Sequence, residues 1–248
     1  MYNLTFAGMA LDGVTEFTPE QPKRVSIERF PRRHGAIVPK TPFKAEKTIA
    51  MVFTVDKASE AALKAYLDAL GAVLAAGEGQ LFLRDDNRFI RCVNTVWSHS
   101  YRASEMPATR ASGRIEMVAA DPFWYDGGGE KTQAHHGVAA SPETFAATNN
   151  GGATTPPRME IKAVGADKTG TFKLTNTTMG IYIQYVGTIL NGSSLVFDSS
   201  AYTVSNGGVN GLKDYTGSFW DLLTGANNIE YSGPTGVDID IFWTERWN

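Results

Sequence analysis

The chain has 248 residues, of which 42% are hydrophobic, 11% aromatic and 20% charged, a composition that can bury a core and excludes a disordered chain. Its 23 basic and 26 acidic side chains leave a net charge of −3, so no global polybasic signal directs it to nucleic acid or anionic lipid. A single cysteine, Cys92, excludes an internal disulfide and a thiolate metal site, and no stretch approaches the roughly 20 apolar residues a membrane-spanning helix requires.

Met1 to Leu11 lacks the basic flank and long apolar run of a signal peptide, so the chain is read as unexported, with its cysteine in a reducing compartment. The triplets at Asn3, Asn176 and Asn191 match the glycosylation motif and carry no consequence without secretion. Next comes the densest charge cluster. Lys23, Arg24, Arg29, Arg32, Arg33, Lys40, Lys44 and Lys47 stand against only Glu28 and Glu46. Pro22, Pro31, Pro39 and Pro42 disfavour a helix here and favour an extended arm or long β-hairpin. Three readings compete: a nucleic-acid contact, a solvated hairpin, and an inter-subunit arm. The arm leads, because Ile27, Phe30, Ile37, Val38 and Phe43 among those charges need somewhere to place their apolar area. The candidate interface residues are Arg24, Arg29, Phe30, Arg32, Arg33, Ile37, Val38 and Phe43.

Thr48 to Val55 alternates, with Ile49, Met51, Phe53 and Val55 on one face of a half-buried strand. Asp56 reads as an N-cap for a helix over Lys57 to Ala76, whose apolar stripe is Leu63, Leu67, Leu70 and Leu74, and Gly77 supplies its left-handed exit. Gln80 to Arg84 and Arg88 to Trp97 flank Asp85-Asp86-Asn87 as a hairpin, and Arg114 to Tyr125 is a further strand. One helix against a mainly antiparallel sheet makes the first half α+β.

Residues 1–125 carry 16 basic and 14 acidic groups, whereas 126–248 carry 7 and 12, so the two halves face different surroundings. The glycine-rich stretch after residue 126, with His135-His136 and Asn149-Asn150-Gly151-Gly152, reads as a linker. The expected organisation is therefore a domain over 1–128, a linker over 129–152 and a second domain over 153–248. In that last part, short β-type runs begin near Met159, Thr171, Ile181, Ser194, Ala201, Asn228 and Val237, separated by Gly, Asn, Ser and Asp, a spacing that indicates a β-sandwich.

No convergent chemistry emerges. His135-His136 are adjacent and lack a third ligand, Gly127 to Thr132 lacks phosphate-loop spacing, and Asp85-Asp86 suit a solvated turn. Asp238 and Asp240 share one strand face with the apolar residues turned away from them, and Cys92 has no nucleophile motif around it. No catalysis, metal or cofactor is expected.

Several motifs occur in an order that resembles the distal tail protein family of long-tailed, non-contractile bacteriophages. They are the opening Tyr2-Asn3-Leu4-Thr5-Phe6-Ala7-Gly8, the strand end Val118 to Tyr125 with its Asp121-Pro122-Phe123, the lead-in Asn149 to Ile161, and Leu222 to Tyr231. The resemblance implies an α+β N-terminal domain followed by an all-β galectin-like sandwich. It implies a homo-hexameric ring at the virion tail tip, assembled in the host cytoplasm, joining the tail tube protein to the baseplate hub protein, with DNA only as passing cargo. Receptor-binding or other peripheral tail proteins are further partners on this reading. The alternative is a host-surface or carbohydrate-binding adsorption module. A sugar site of galectin type needs a stacking tryptophan among polar neighbours, and Trp220, Trp243 and Trp247 read as core or rim aromatics.

Overall fold

A computed structural model describes residues 2–20, 23–24, 43–83, 87–101 and 108–248, the short pieces 23–24 and 43–44 as backbone. The chain divides into two compact units, Met1–Gly127 and Gly128–Asn248.

The first unit begins with β1 (Leu4–Phe6), β2 (Met9–Ala10) and β3 (Val14–Glu20). Two-residue pieces β4 (Lys23–Arg24) and β5 (Phe43–Lys44) follow, then β6 (Lys47–Asp56), α1 (Glu60–Ala75), β7 (Glu78–Leu83), β8 (Arg88–Tyr101), β9 (Arg110–Ala119) and β10 (Trp124–Asp126). The strands line up in the order β2-β1-β7-β8-β9-β6-β3, with β10 beside the first residues of β8. All pairings are antiparallel.

Strand β6 alternates strictly. Lys47, Ile49, Met51, Phe53 and Val55 are buried on the helix-facing side, and the residues between Thr48 and Thr54 on the other side are only partly covered. The helix lays Leu63, Leu67, Leu70 and Leu74 on that buried side, all at most 3% exposed, and each contributes roughly 2 kcal/mol on burial. Its start departs from expectation. Ser59 is the cap, its Oγ accepting from Ala62 N at 3.2 Å, because Asp56 is still in β6 and held by Arg110. Gly77, at φ 103°, makes the left-handed exit.

The second unit is a sandwich of two antiparallel sheets. In chain order its elements are β11 (Lys131–His135), β12 (Glu143–Asn149), β13 (Arg158–Ala163), β14 (Lys168–Asn176) and β15 (Ile181–Ile189). They continue as β16 (Ser194–Asp198), β17 (Thr203–Asn206), β18 (Val209–Asn210), a 3-10 turn at Leu212–Asp214, β19 (Tyr215–Gly217), β20 (Gly225–Ser232) and β21 (Val237–Trp243). One sheet runs β11-β21-β13-β16-β17-β18 and the other β12-β20-β14-β15-β19. Met159, Ile161, Phe172, Leu174, Ile229 and Ile239, all fully buried, belong to the single core between them. Tyr231, also buried, anchors its hydroxyl to the Pro234 carbonyl at 2.8 Å. The fold class is thus α+β followed by an all-β sandwich.

The stretch expected to be a linker is a correction. Within 129–152, β11 pairs with β21 over five residues and β12 with β20 over seven, so most of it is sandwich edge. Edge strands are held by backbone hydrogen bonds to a core strand, and need no apolar run of their own.

Candidate assembly surface

Among the described residues the first unit leaves a sheet face and two sheet edges uncovered, and the root of the arm is seen as backbone. Register defines the face. Glu16, Thr18 and Glu20 on β3 stand opposite Val52, Ala50 and Thr48, which stand opposite Arg114, Glu116 and Val118 on β9. On β8 the same rows end at Ser98, Val96 and Val93, and Ser100 meets Ser112 one row further on. This face turns away from α1, and between its charged residues its side chains are small, hydroxylated or β-branched. Thr54 and Ser112 hydroxyls bond at 3.0 Å, and Arg114 is ion-paired to Glu116. Over these four strands, four carboxylates, Glu16, Glu20, Glu116 and Asp56, face two guanidiniums, Arg114 and Arg110, each of which is paired to one of them, with Arg91 at the margin.

Two edges of the same sheet are open. Among the described strands β3 pairs only with β6, and on its outer side the Val14 carbonyl at its start accepts from Tyr2 N at 3.1 Å. Strand β8 has 14 residues, but β7 covers its other side only from Arg88 to Val93, which leaves Asn94 to Tyr101 as an edge that no described strand pairs. An exposed run of unpaired N–H and C=O groups is a template for another strand. A cleft of about 550 Å³ opens near β3, lined by Tyr2, Asp12, Thr54, Asp56 and Lys57 among others. Its wall is pinned by Lys57 Nζ on Asp12 at 2.8 Å and by Tyr66, whose hydroxyl accepts from Asp12 N at 2.9 Å. The Lys57 ammonium also lies 4.3 Å from the centre of the Tyr66 ring.

The arm root is visible as backbone: Lys23 pairs with Lys44 and Arg24 with Phe43, continuing the antiparallel course of β3 and β6 outward. Of the candidate interface residues, Arg24 and Phe43 stand in that pair. Arg29, Phe30, Arg32, Arg33, Ile37 and Val38 lie outside the described residues, as do Asp85 and Asp86. Lys47, at the end of the charge cluster, belongs to the sheet instead: it is 3% exposed with its ammonium 5.4 Å from the centre of the Trp124 ring.

The remaining sequence candidates do not assemble into a site. His135 stacks on Phe145 with ring centres 4.5 Å apart and its Nε2 3.1 Å from Glu143, while His136 turns the other way to Asp240 at 3.0 Å. Asp238 accepts from Gly137 N at 2.8 Å. Among the described residues no three of His, Cys, Asp and Glu are disposed to hold a metal ion. Cys92 is buried beside Met117, and burial pushes its thiol up to about 12, so it is protonated at neutral pH. Trp220 and Trp243 are 2% and 5% exposed and face the sandwich core, which leaves neither ring open to stack on a sugar.

Sequence reasoning missed Trp97, His99 and Tyr101. They line the helix-facing side of the open β8 edge, with ring centres 5.2 and 5.5 Å apart in sequence order. The signal was there: aromatic residues at a spacing of two past the end of an apolar strand mark one face of its continuation.

Comparison with known proteins returns a coherent set. Residues 150–247 match the family model described as the siphovirus-type tail component, C-terminal domain. The whole chain superposes on the whole of the crystal structure of the phage SPP1 Dit (gp 19.1) protein, with a TM-score of 0.71 at 12% identity. That protein is described as a paradigm of the hub adsorption apparatus in phages infecting Gram-positive bacteria. A chain of the phage P2 baseplate in its activated conformation with Ca matches at a TM-score of 0.42 and 8% identity, covering 97% of this chain and 90% of that one. No curated protein sequence matches. The resemblance read from the ordered motifs is borne out: residues 150–247 match the siphovirus-type tail component model, and the fold of the whole chain is similar to that of the SPP1 Dit protein.

Proposed function

We propose that this chain is a structural subunit of a phage tail tip, that six copies form a closed ring joining the tail tube to the baseplate hub, and that the uncovered face of the first-unit sheet lines a channel for DNA. The observation that carries this reading is the pair of open edges at the two ends of one four-strand ribbon, β8-β9-β6-β3. Contacts between different patches close into a ring when the rotation permits, and joining β3 of one copy to β8 of the next removes both edges. Successive strands in the ribbon alternate in direction, so an even number per copy keeps every junction antiparallel.

Size supports the channel. Six four-strand ribbons make a barrel of about 24 strands, which at ~4.8 Å between strands and a tilt near 40° is roughly 48 Å across between backbones. Side chains narrow that by about 10 Å, leaving room for a DNA duplex. The chemistry of the face agrees. Among the described residues, hydroxyls and an excess of carboxylates offer phosphates no cluster of free cations, so DNA slides past that part of the face without being held.

Light scattering on the assembled protein tests the ring: six copies of 26.9 kDa give about 161 kDa. Tight, salt-sensitive DNA binding by that assembly would contradict the channel, whereas the expected result is binding too weak to detect at physiological salt. The second unit offers a platform to baseplate or peripheral tail proteins on this reading. Trp220 and Trp243 are both in the core, so neither supports the adsorption alternative through a sugar site of galectin type.

A further inference from the structure

Two aromatic clusters lie at opposite sides of the four-strand ribbon β8-β9-β6-β3. At the β8 end, Phe53 stacks on Trp97 with ring centres 5.4 Å apart, and the run continues through His99 to Tyr101, which is 48% exposed. At the β3 end, Phe17 lies 5.6 Å from Tyr2, which is 46% exposed, and 6.2 Å from Trp124, with Pro19 exposed beside them. Both clusters are on the helix-facing side, because Phe17, Met51, Ile115 and Trp97 form one continuous cross-strand row.

We infer that the Trp97, His99 and Tyr101 run is the docking face for the Tyr2, Phe17 and Pro19 cluster of a second copy of this chain. The inference rests on the ring reading and names the side chains that join one copy to the next. Three observations select a second copy as the occupant. The lengths match, since β3 has seven residues and the open part of β8, Asn94 to Tyr101, has eight. The directions match, because the next copy's β3 arrives antiparallel to β8. The faces match, because an even stagger between the strands sets Phe17 and Pro19 against Trp97, His99 and Tyr101 on one side, and Glu16, Thr18 and Glu20 against Ser98 and Ser100, whose hydroxyls can donate to carboxylates, on the other. Aromatic side chains exposed on a strand that itself lacks a partner are what such a junction covers.

The test uses two full-length variants altered only at exposed positions, His99→Asp with Tyr101→Asp, and Tyr2→Asp with Pro19→Asp. Thermal unfolding like that of the wild type establishes that each still folds. Sedimentation at concentrations where the wild type forms its ring is expected to show each variant alone at 26.9 kDa. An equimolar mixture is expected to contain a two-copy species, since each variant keeps one face intact. Variants that reach the wild-type mass overturn the seam and leave the ring standing, and a mixture without a two-copy species overturns the pairing of unlike faces. A wild type that stays at 26.9 kDa at every concentration overturns the ring reading and the seam together.

Discussion

Gly113 shows how little room the first-unit sheet has on its helix-facing side. A Cβ there would lie 2.2 Å from the Ser98 carbonyl oxygen and 2.6 Å from the Phe53 ring that stacks on Trp97. Gly113→Val is therefore expected to lower stability by about 3 kcal/mol, read as a drop in denaturant midpoint, and to weaken assembly by tilting Trp97. Gly13 is constrained twice over, by φ +72° and by the Thr54 carbonyl 1.9 Å from a Cβ. Cys92 makes a chemical prediction. With its thiol raised from 9.0 to about 12 by burial, the unfolded chain releases that proton first as pH rises, so the contribution to stability is complete below pH 9 and is lost toward pH 12. Native protein at pH 8 is expected to resist thiol reagents that modify it at once in denaturant, and rapid labelling of the folded chain would place Cys92 outside the core.

Among elements, the helix is the best test of local causes. Ser59→Ala removes the cap on Ala62 N and is expected to cost about 1 kcal/mol, whereas Asp56→Ala loses an exposed ion pair with Arg110 and is expected to cost less. Calorimetry on the two variants separates them, and the reverse order would return the cap to Asp56. Tyr66→Phe removes the hydroxyl that accepts from Asp12 N and is expected to cost about 1 kcal/mol, since it unpins the β2–β3 turn from α1. The helix and β6 were legible in the sequence because their apolar periodicity of four leucines and of Ile49, Met51, Phe53 and Val55 is imposed by packing. Strands β11 and β12 were not, because Lys131-Thr132-Gln133-Ala134-His135 has no such period and is ordered by its partner β21. The β8 edge was equally hidden: that Asn94 to Tyr101 outruns β7 follows from register, which sequence spacing does not contain.

For the whole molecule, the ordered motifs carried more than any one residue, and they pointed to the right fold while leaving the proposed assembly surface unseen. The basic arm drew attention because charge is conspicuous in a sequence, whereas the open edges are defined by pairings between residues far apart in the chain. Each unit has its own core, so residues 128–248 alone are expected to give a dispersed, cooperative amide spectrum, and a collapsed spectrum would contradict two independent units. Deleting residues 25–42 is expected to abolish the ring while both units stay folded, and an unchanged ring after that deletion would remove the arm from the interface. The most direct measurement is symmetry-free averaging of electron micrographs of the assembled particle. The expected density shows six copies around the tail axis with the Ser98, Arg114 and Val52 face turned to the lumen, and a single off-axis copy would contradict the closed ring.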